Sequence, residues 1–363
     1  MRYKLEKREK LTKKNQFLVS VLSLVAALLL MGLIIAIFGE SPMEAYKELF
    51  TWPFIPELGM ADTFQKMVPL LIIALGLAVV FKMRIWNIGA EGQLFMGAMF
   101  TSYGALFLLP ETMPSWLSIP ILFVMGFSGG ALWALIPAVL KAYMKVDEIL
   151  VTLMLNYVAM FWVNHLIFGP WKDPDGYNFP ITAMFPKSTW LTTIGDTGVN
   201  TGLYVALALV VVIYLLLNRS KWGFQLELLG DNKTGARYAG VSVKRNILLA
   251  LIVSGGLAGI AGTVQMLGLQ HRLQQDFSPG YGFTAIIVAW LAKLNPWIMT
   301  VVAFLFGGLM VGSEQLQIIM RMPASMVSIL QGLVLICLLA GEAIMRYRIV
   351  RIQDSDNEKE AVE

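Results

Sequence analysis

Apolar runs of membrane-spanning length recur along the whole chain, each interrupted by a short polar or glycine- and proline-bearing stretch. A helix that crosses a bilayer needs about 20 predominantly apolar residues. On that measure the pattern predicts crossing helices over 17–38, 68–81, 94–109, 119–140, 149–168, 203–217, 247–267, 297–311 and 326–343. One further run, 283–292, is about ten residues long and short for a full span. It reads as a broken or re-entrant helix, which a bilayer tolerates only where neighbouring protein shields it. The expected fold is therefore an all-α polytopic membrane protein with about ten transmembrane helices.

The polar stretches set the orientation. Residues 1–16 carry seven basic and two acidic side chains and form the expected cytoplasmic N-terminus. The run 17–38 is too long for a signal core and no small-residue cleavage site follows it, so it reads as a retained first helix. Residues 39–67, with Trp52, Phe54 and an acidic excess, read as an outside, partly interfacial segment. Residues 169–202 form a longer external loop, 218–246 a cytoplasmic loop, and 346–363 a cytoplasmic tail, so that 17–345 is the transmembrane domain. This assignment places 22 of the 28 Lys and Arg inside and 6 outside, while the acidic residues divide 13 to 11. A basic bias with little acidic bias is what the positive-inside rule expects.

The longest basic segment between apolar runs is 217–245, with Arg219, Lys221, Lys233, Arg237, Lys244 and Arg245 against Glu227 and Asp231. A bare linker has no use for its Leu226, Leu228, Leu229, Ala236, Tyr238 and Ala239. The spacing predicts a short helix over 232–239. Asp231 or Asn232 would cap its first amides, and Gly240 would take the left-handed position past its end. Lys233 and Arg237 would share a face. The apolar residues point to a docking surface; the plainer reading is an ordinary basic inside loop.

Composition adds exclusions. Charged residues are only 14% of the chain, against 57% hydrophobic, and the location of the positive charge accounts for it without nucleic acid. A single cysteine, Cys337, excludes an intrachain disulfide and a cysteine metal cluster. His165 and His271 lie far apart, and no nucleophile has a base beside it. The glycine spacing of 230–235 is followed by Ala236 and Arg237, so no nucleotide-binding phosphate loop is present. Ser254 to Gly262 carries small residues four apart, Gly255 and Gly259 among them, which lets helices approach closely. Polar residues beside or within apolar runs, namely Glu91, Asn156, Asn164, Gln265, Glu314, Gln315, Gln317 and Gln331, face a bundle interior or a pathway. Of these, Asn156, Asn164 and Gln265 are the pathway candidates. Glu91, Glu314 and Glu342 stand near segment ends, which argues against an ion-driven relay.

One set of motifs goes further. Asn87-Ile88-Gly89-Ala90-Glu91-Gly92-Gln93 resembles a motif of permease subunits in bacterial ABC importers of the simple-sugar and nucleoside class. Ala236 to Gly240, Ser254-Gly255 with Leu257 to Gly259, Phe277 to Phe283 with Pro279, Gly280 and Gly282, and Leu294 to Pro296 resemble the same family in the same order. The resemblance covers about 17–348 and is strongest to the larger permease of nucleoside importers that use a basic-membrane-protein-type binding lipoprotein. Gly235, Trp290 and Lys293 depart from the family pattern.

The resemblance implies a type II ABC importer fold and a non-catalytic subunit in a bacterial cell membrane. Its partners would be a second permease in a heterodimer, two ATPase subunits that bind ATP and Mg, an extracellular substrate-binding lipoprotein, and the surrounding lipid. No cofactor or metal would sit in this chain. Asp231, Asn232, Ala236, Arg237, Tyr238, Ala239 and Gly240 would form the coupling segment in an ATPase groove. Asn87, Gly89, Glu91 and Gly92 would form a turn near the cytoplasmic face, with Glu91 tying it down by hydrogen bonds. A sugar, riboflavin or other small polar solute is the alternative cargo. An ion-coupled secondary transporter and a membrane-embedded enzyme are the alternatives of other classes.

Overall fold

The computed structural model describes residues 2–7, 13–56, 59–323 and 347–352, and scattered positions between 326 and 344. The expected tenth helix, 326–343, and the tail beyond 352 lie largely outside the described residues. The chain divides into two compact units, one of Met1–Trp52 with Gly312–Glu363 and one of Pro53–Val311.

The smaller unit holds β1 (Arg2–Lys7), β2 (Tyr347–Ile352), α1 (Lys13–Ile37) and α2 (Pro42–Thr51). The two strands pair antiparallel, with Leu5 opposite Ile349 and Tyr3 opposite Arg351. This ribbon departs from the all-α expectation. Its source is the alternation of Tyr3 and Leu5 with charged neighbours, a period-two pattern that is too short to register beside long apolar runs. α2 lies in the stretch read as an outside loop. Ser41 accepts from the Glu44 amide, Pro42 opens the helix, and Ala45 and Leu49 are buried.

The larger unit is a helix bundle. It comprises α3 (Met60–Phe81), α4 (Ala90–Tyr103), α5 (Ser115–Val139), α6 (Glu148–Phe168) and α7 (Gly202–Arg219). It continues with α8 (Lys221–Asp231), α9 (Lys233–Tyr238), α10 (Val243–Gln265), α11 (Tyr281–Leu291) and α12 (Pro296–Ile319), the last running past Val311 into the smaller unit's residues. Single π turns extend α4 through Gly104–Leu108, α5 through Leu140–Met144 and α10 through Met266–Gln270. Among the described residues six helices are long and apolar enough to cross a membrane: α3, α5, α6, α7, α10 and α12. α3 and α10 are 83% and 72% buried over their apolar windows, whereas α6 is 22% and α7 28% buried. So α3 and α10 form the centre, and α6 and α7 present apolar sides outward.

Small residues fix the centre. On α10, a Cβ at Gly259 would overlap the Gly126 carbonyl of α5, and one at Gly255 would overlap Ala134. Thr101 of α4 and Thr263 of α10 share a buried 2.8 Å hydrogen bond at the same crossing. This is the close approach that the glycine spacing anticipates.

Three boundaries differ from the sequence expectation. α3 starts at Met60 rather than 68, because Thr63 and Met67 bury while the polar Asp62, Gln65 and Lys66 share the turns that hydropathy discounts. α12 runs on to Ile319 through Ser313 and Gln315, both buried. α8 is a helix where loop was expected; Ser220 caps it by accepting from the Gly223 amide at 3.0 Å.

Candidate functional site

The basic segment folds as a helical hairpin. Asn232 Oδ1 accepts from the amides of Thr234 and Gly235 at 3.0 and 2.9 Å, which starts α9 at the expected place. A cap of this kind contributes about 1 kcal/mol. Gly240 closes the helix in the left-handed region at φ +78°. Asp231 does not cap. Its carboxylate instead pairs with Arg84 at 2.8 Å. Leu226, Leu229 and Ala236 are buried against the rest of the bundle. Tyr238 is 90% exposed, and Lys233, Arg237, Ala239 and Gly240 are exposed with it. The outward face of α9 is therefore aromatic and basic, and Ala236 belongs to the inward face.

This hairpin is strapped to the turn that follows α3. Lys82 Nζ lies 3.3 Å from Glu227 and 3.4 Å from the Leu217 carbonyl. The Gly230 backbone packs against the Lys82 carbonyl so closely that a Cβ would not fit. Trp222 Nε1 donates to Asn246 Oδ1 at 2.7 Å, which holds α8 to the start of α10. Sequence reading took Lys82 and Arg84 only as the inside end of a helix. The signal for more was the acidic pair Glu227 and Asp231, alone among basic residues and four apart on α8.

From Arg84 the chain runs without helix or strand over 85–88 and enters α4 at Gly89. The motif residues close on themselves. Asn87 and Gln93 exchange amide hydrogen bonds at 3.0 and 3.2 Å, and Asn87 Oδ1 also accepts from the Gly89 amide at 3.0 Å. Asn87 Nδ2 donates to Ser254 Oγ at 3.1 Å. Ser254 is midway along α10, so the motif, which starts α4, is folded back into the bundle. α6 completes the network. Asn156 Oδ1 accepts from the Gly92 amide and Asn156 Nδ2 donates to the Ile88 carbonyl, both at 2.8 Å. Thr152 Oγ1 accepts from the Ile88 amide at 3.3 Å. These bonds satisfy backbone groups that an interrupted helix leaves open inside a membrane protein.

Glu91 is 2% exposed at that depth. Glu91 stands in the first turn of α4, at a segment end as the sequence predicts, and that end of the helix is packed inside the bundle. Its Oε2 accepts from the Gly282 amide at 2.6 Å, and the Ser278 side chain also hydrogen-bonds it. Gly282 opens α11, the short helix of the pattern. The chain reaches it through the non-helical stretch 271–280, with Phe277 against Phe95 at 4.4 Å between ring centroids. Gly280 takes φ +88°, and a Cβ on Gly282 would overlap the Glu91 backbone amide. Pro279, just before them, is exposed. The far end of α11 is held by Trp290, whose ring stacks on Trp86 at 5.4 Å and tilts against Phe81 at 5.6 Å. Trp290, a departure from the family pattern, thus anchors α11 to the same turn.

The pathway candidates separate. Asn156 is used by the motif. Gln265 is buried near the end of α10. The Asn164 side-chain carbonyl is buried on α6 without a hydrogen-bond partner. At the other end of the bundle, 169–202 packs over the end of α10 and the stretch after it. Thr182 and Leu273 exchange hydrogen bonds at 3.0 Å, the Phe185 amide donates to the His271 carbonyl at 2.8 Å, and Trp190 stacks on His271 at 3.9 Å. A cleft of about 450 Å³ opens there between Phe179, Pro180 and Ile181 and the side chains of Arg272, Gln274 and Gln275. His165 is exposed on α6, away from His271.

A bundle with interrupted helices meeting in its interior, and a capped polar hairpin at one end, describes a membrane permease. The chain belongs to the family described as branched-chain amino acid transport system / permease component, which matches residues 59–339. It is similar to a glucose ABC transporter permease of Haloferax volcanii, 32% identical over 91% of this chain and 88% of that one. It is similar also to a guanosine ABC transporter permease of Bacillus subtilis, 29% identical over 91% and 95%. A nucleoside ABC transporter permease of Lactococcus lactis is 30% identical over 83% and 85%. The chain is thus a multi-pass ABC permease, a non-catalytic channel component of its transporter.

Proposed function

We propose that this chain forms half of the translocation pathway of an ATP-driven importer for nucleosides delivered by an external binding protein. The relatives named for guanosine and for nucleosides support the cargo. The observation that carries the mechanism is the α8–α9 hairpin. It offers an exposed Tyr238 and a basic face on a rigid, capped element, and its own ion pairs lead to the turn that holds α11. ATP and Mg bind the two partner ATPase subunits, whose closure pushes on α9. A second, different permease faces this one, and a lipid-anchored binding protein docks over 169–202. The chain crosses a bacterial cell membrane ten times with both termini cytoplasmic. α1, α3, α4, α5, α6, α7, α10, the short α11, α12 and 326–343 supply the crossings.

The test is uptake in cells that depend on this importer. Labelled guanosine enters in the wild type and not in a deletion strain, and unlabelled adenosine or uridine competes. Competition by glucose or riboflavin with none by nucleosides overturns the cargo and moves the assignment to the sugar or vitamin class.

A further inference from the structure

We infer that Glu91 is the latch of the translocation gate, a positioning residue that holds the short helix α11 and the non-helical stretch leading into it closed against α4. The inference rests on the importer reading for what passes, and on geometry for the latch itself. The carboxyl is buried midway along the bundle, where a charged or strongly polar group is costly unless its partners are fixed. Here its partners come from one place, the Gly282 amide at 2.6 Å and the Ser278 side chain. Both lie at the junction between the non-helical stretch and α11, so one side chain holds the point where the span changes direction. No room is left at that junction, since a Cβ on Gly282 would overlap Glu91 backbone. The two backbones are in direct contact there.

The segment it holds is built to move. Non-helical backbone lines its outer half, and positive φ values at His271, Asp276 and Gly280 precede α11. Another pair, Lys293 and Leu294, follows it. α11 is thus an 11-residue rod between two bends, held at one end by Glu91 and at the other by Trp86 and Phe81. The turn carrying Trp86 is the one that Lys82 and Arg84 tie to α8. Displacing α8 displaces the turn, and the Glu91 hydrogen bonds are what the movement must break to open the span. Interrupted helices that line a cavity commonly carry the substrate path in transporters.

The experiment uses the complete importer in proteoliposomes, preloaded with guanosine and glucose and given no ATP, so the leak is read whichever solute it carries. ATP-driven guanosine accumulation by the wild type is scored separately and judges the nucleoside reading alone. Glu91→Ala removes the acceptor and should raise ATP-independent efflux about ten-fold, since leaving the buried Gly282 amide without its partner in the closed state shifts an open–closed equilibrium by about that factor. ATP-driven accumulation should fall with it. Glu91→Gln keeps an acceptor oxygen for the Gly282 amide and should leak less than Glu91→Ala. If Glu91→Ala does not assemble, Ser278→Ala decides, with a raised leak supporting the latch. An assembled Glu91→Ala importer as tight as wild type overturns it. Equal leak from the Ala and Gln variants, or a tight Ser278→Ala importer where Glu91→Ala cannot be made, overturns it as well.

Discussion

Arg84 and Asp231, 147 residues apart in the chain, meet in a 2.8 Å charged hydrogen bond between the turn after α3 and the end of α8. Both side chains are more than 60% exposed, so the pair contributes about 0–1 kcal/mol to stability. Its value is mechanical, because it fixes the hairpin to the turn that leads into Asn87. Arg84→Asp should leave the amount of assembled importer near wild type and lower uptake per unit of ATP hydrolysed. Adding Asp231→Arg should restore part of the loss. Uptake and ATP hydrolysis measured together on the same vesicles check this; unchanged coupling in the single variant would remove the pair from the account.

The α5–α10 crossing leaves no space for side chains at Gly126, Gly130, Gly255 or Gly259. Gly259→Leu should therefore separate the two helices and reduce assembled protein several-fold, with overpacking costing about 1–3 kcal/mol or more. Gly332, against whose Cβ nothing lies within 4 Å among the described residues, serves as the tolerant control. Quantitative blotting of detergent-extracted complex reads the difference.

Two alanines of α9 should behave differently. Ala236 is fully buried within the chain, while Ala239 is exposed beside Tyr238. Ala236→Trp should disrupt the hairpin itself and lower the yield of folded permease. Ala239→Trp and Tyr238→Ala should leave the yield intact and weaken co-purification with the ATPase subunits. Lys233→Ala should cost less than either, because an exposed charge contributes little. ATPase retained in full by both outward-face variants would make the hairpin a connection only.

His271 gives the outer face a pH dependence. Burial against Trp190 holds its imidazole below the ordinary value of 6.5, with a hydrogen bond to the Leu267 backbone partly opposing. The unfolded chain then takes up a proton more readily than the folded one. Stability from this group is full above about pH 6.5 and falls as the pH drops below it. His271→Phe keeps the stacked ring and removes the titration. Thermal unfolding of the purified importer should lose the part of its slope that lies below about pH 6.5 in that variant; an unchanged slope would assign the effect elsewhere.

Much of this was legible in the residues. The spans of α5, α6, α7 and α10 follow from long apolar runs, and the cap and stop of α9 follow from Asn232 and Gly240, because both signals are local. The depth of the Asn87–Gln93 motif was not legible. Nothing in a linear hydropathy pattern shows that 85–89 turns back to meet Ser254, since that fold is fixed by a hydrogen bond from the Asn87 amide to the Ser254 hydroxyl, 167 residues apart. The same holds for Glu91. A carboxylate at the start of its own helix looks superficial until the helix is found to start in the interior. Asn156 could not be told from a pathway residue, because one Asn amide serves a backbone break and a solute equally well. Trp290 looked like a mere departure, and its role is visible only with Trp86 beside it.

The central claim is that ATP bound by partner subunits moves α9 and, through the turn at 82–91, opens this chain's interrupted span to its cargo. The direct measurement is guanosine accumulation in proteoliposomes holding both permeases, both ATPase subunits and the binding protein. With ATP on the side that exposes Tyr238, guanosine should accumulate against its gradient, and neither a proton nor a sodium gradient should replace ATP. Accumulation driven by an ion gradient with the ATPase subunits left out would contradict the claim.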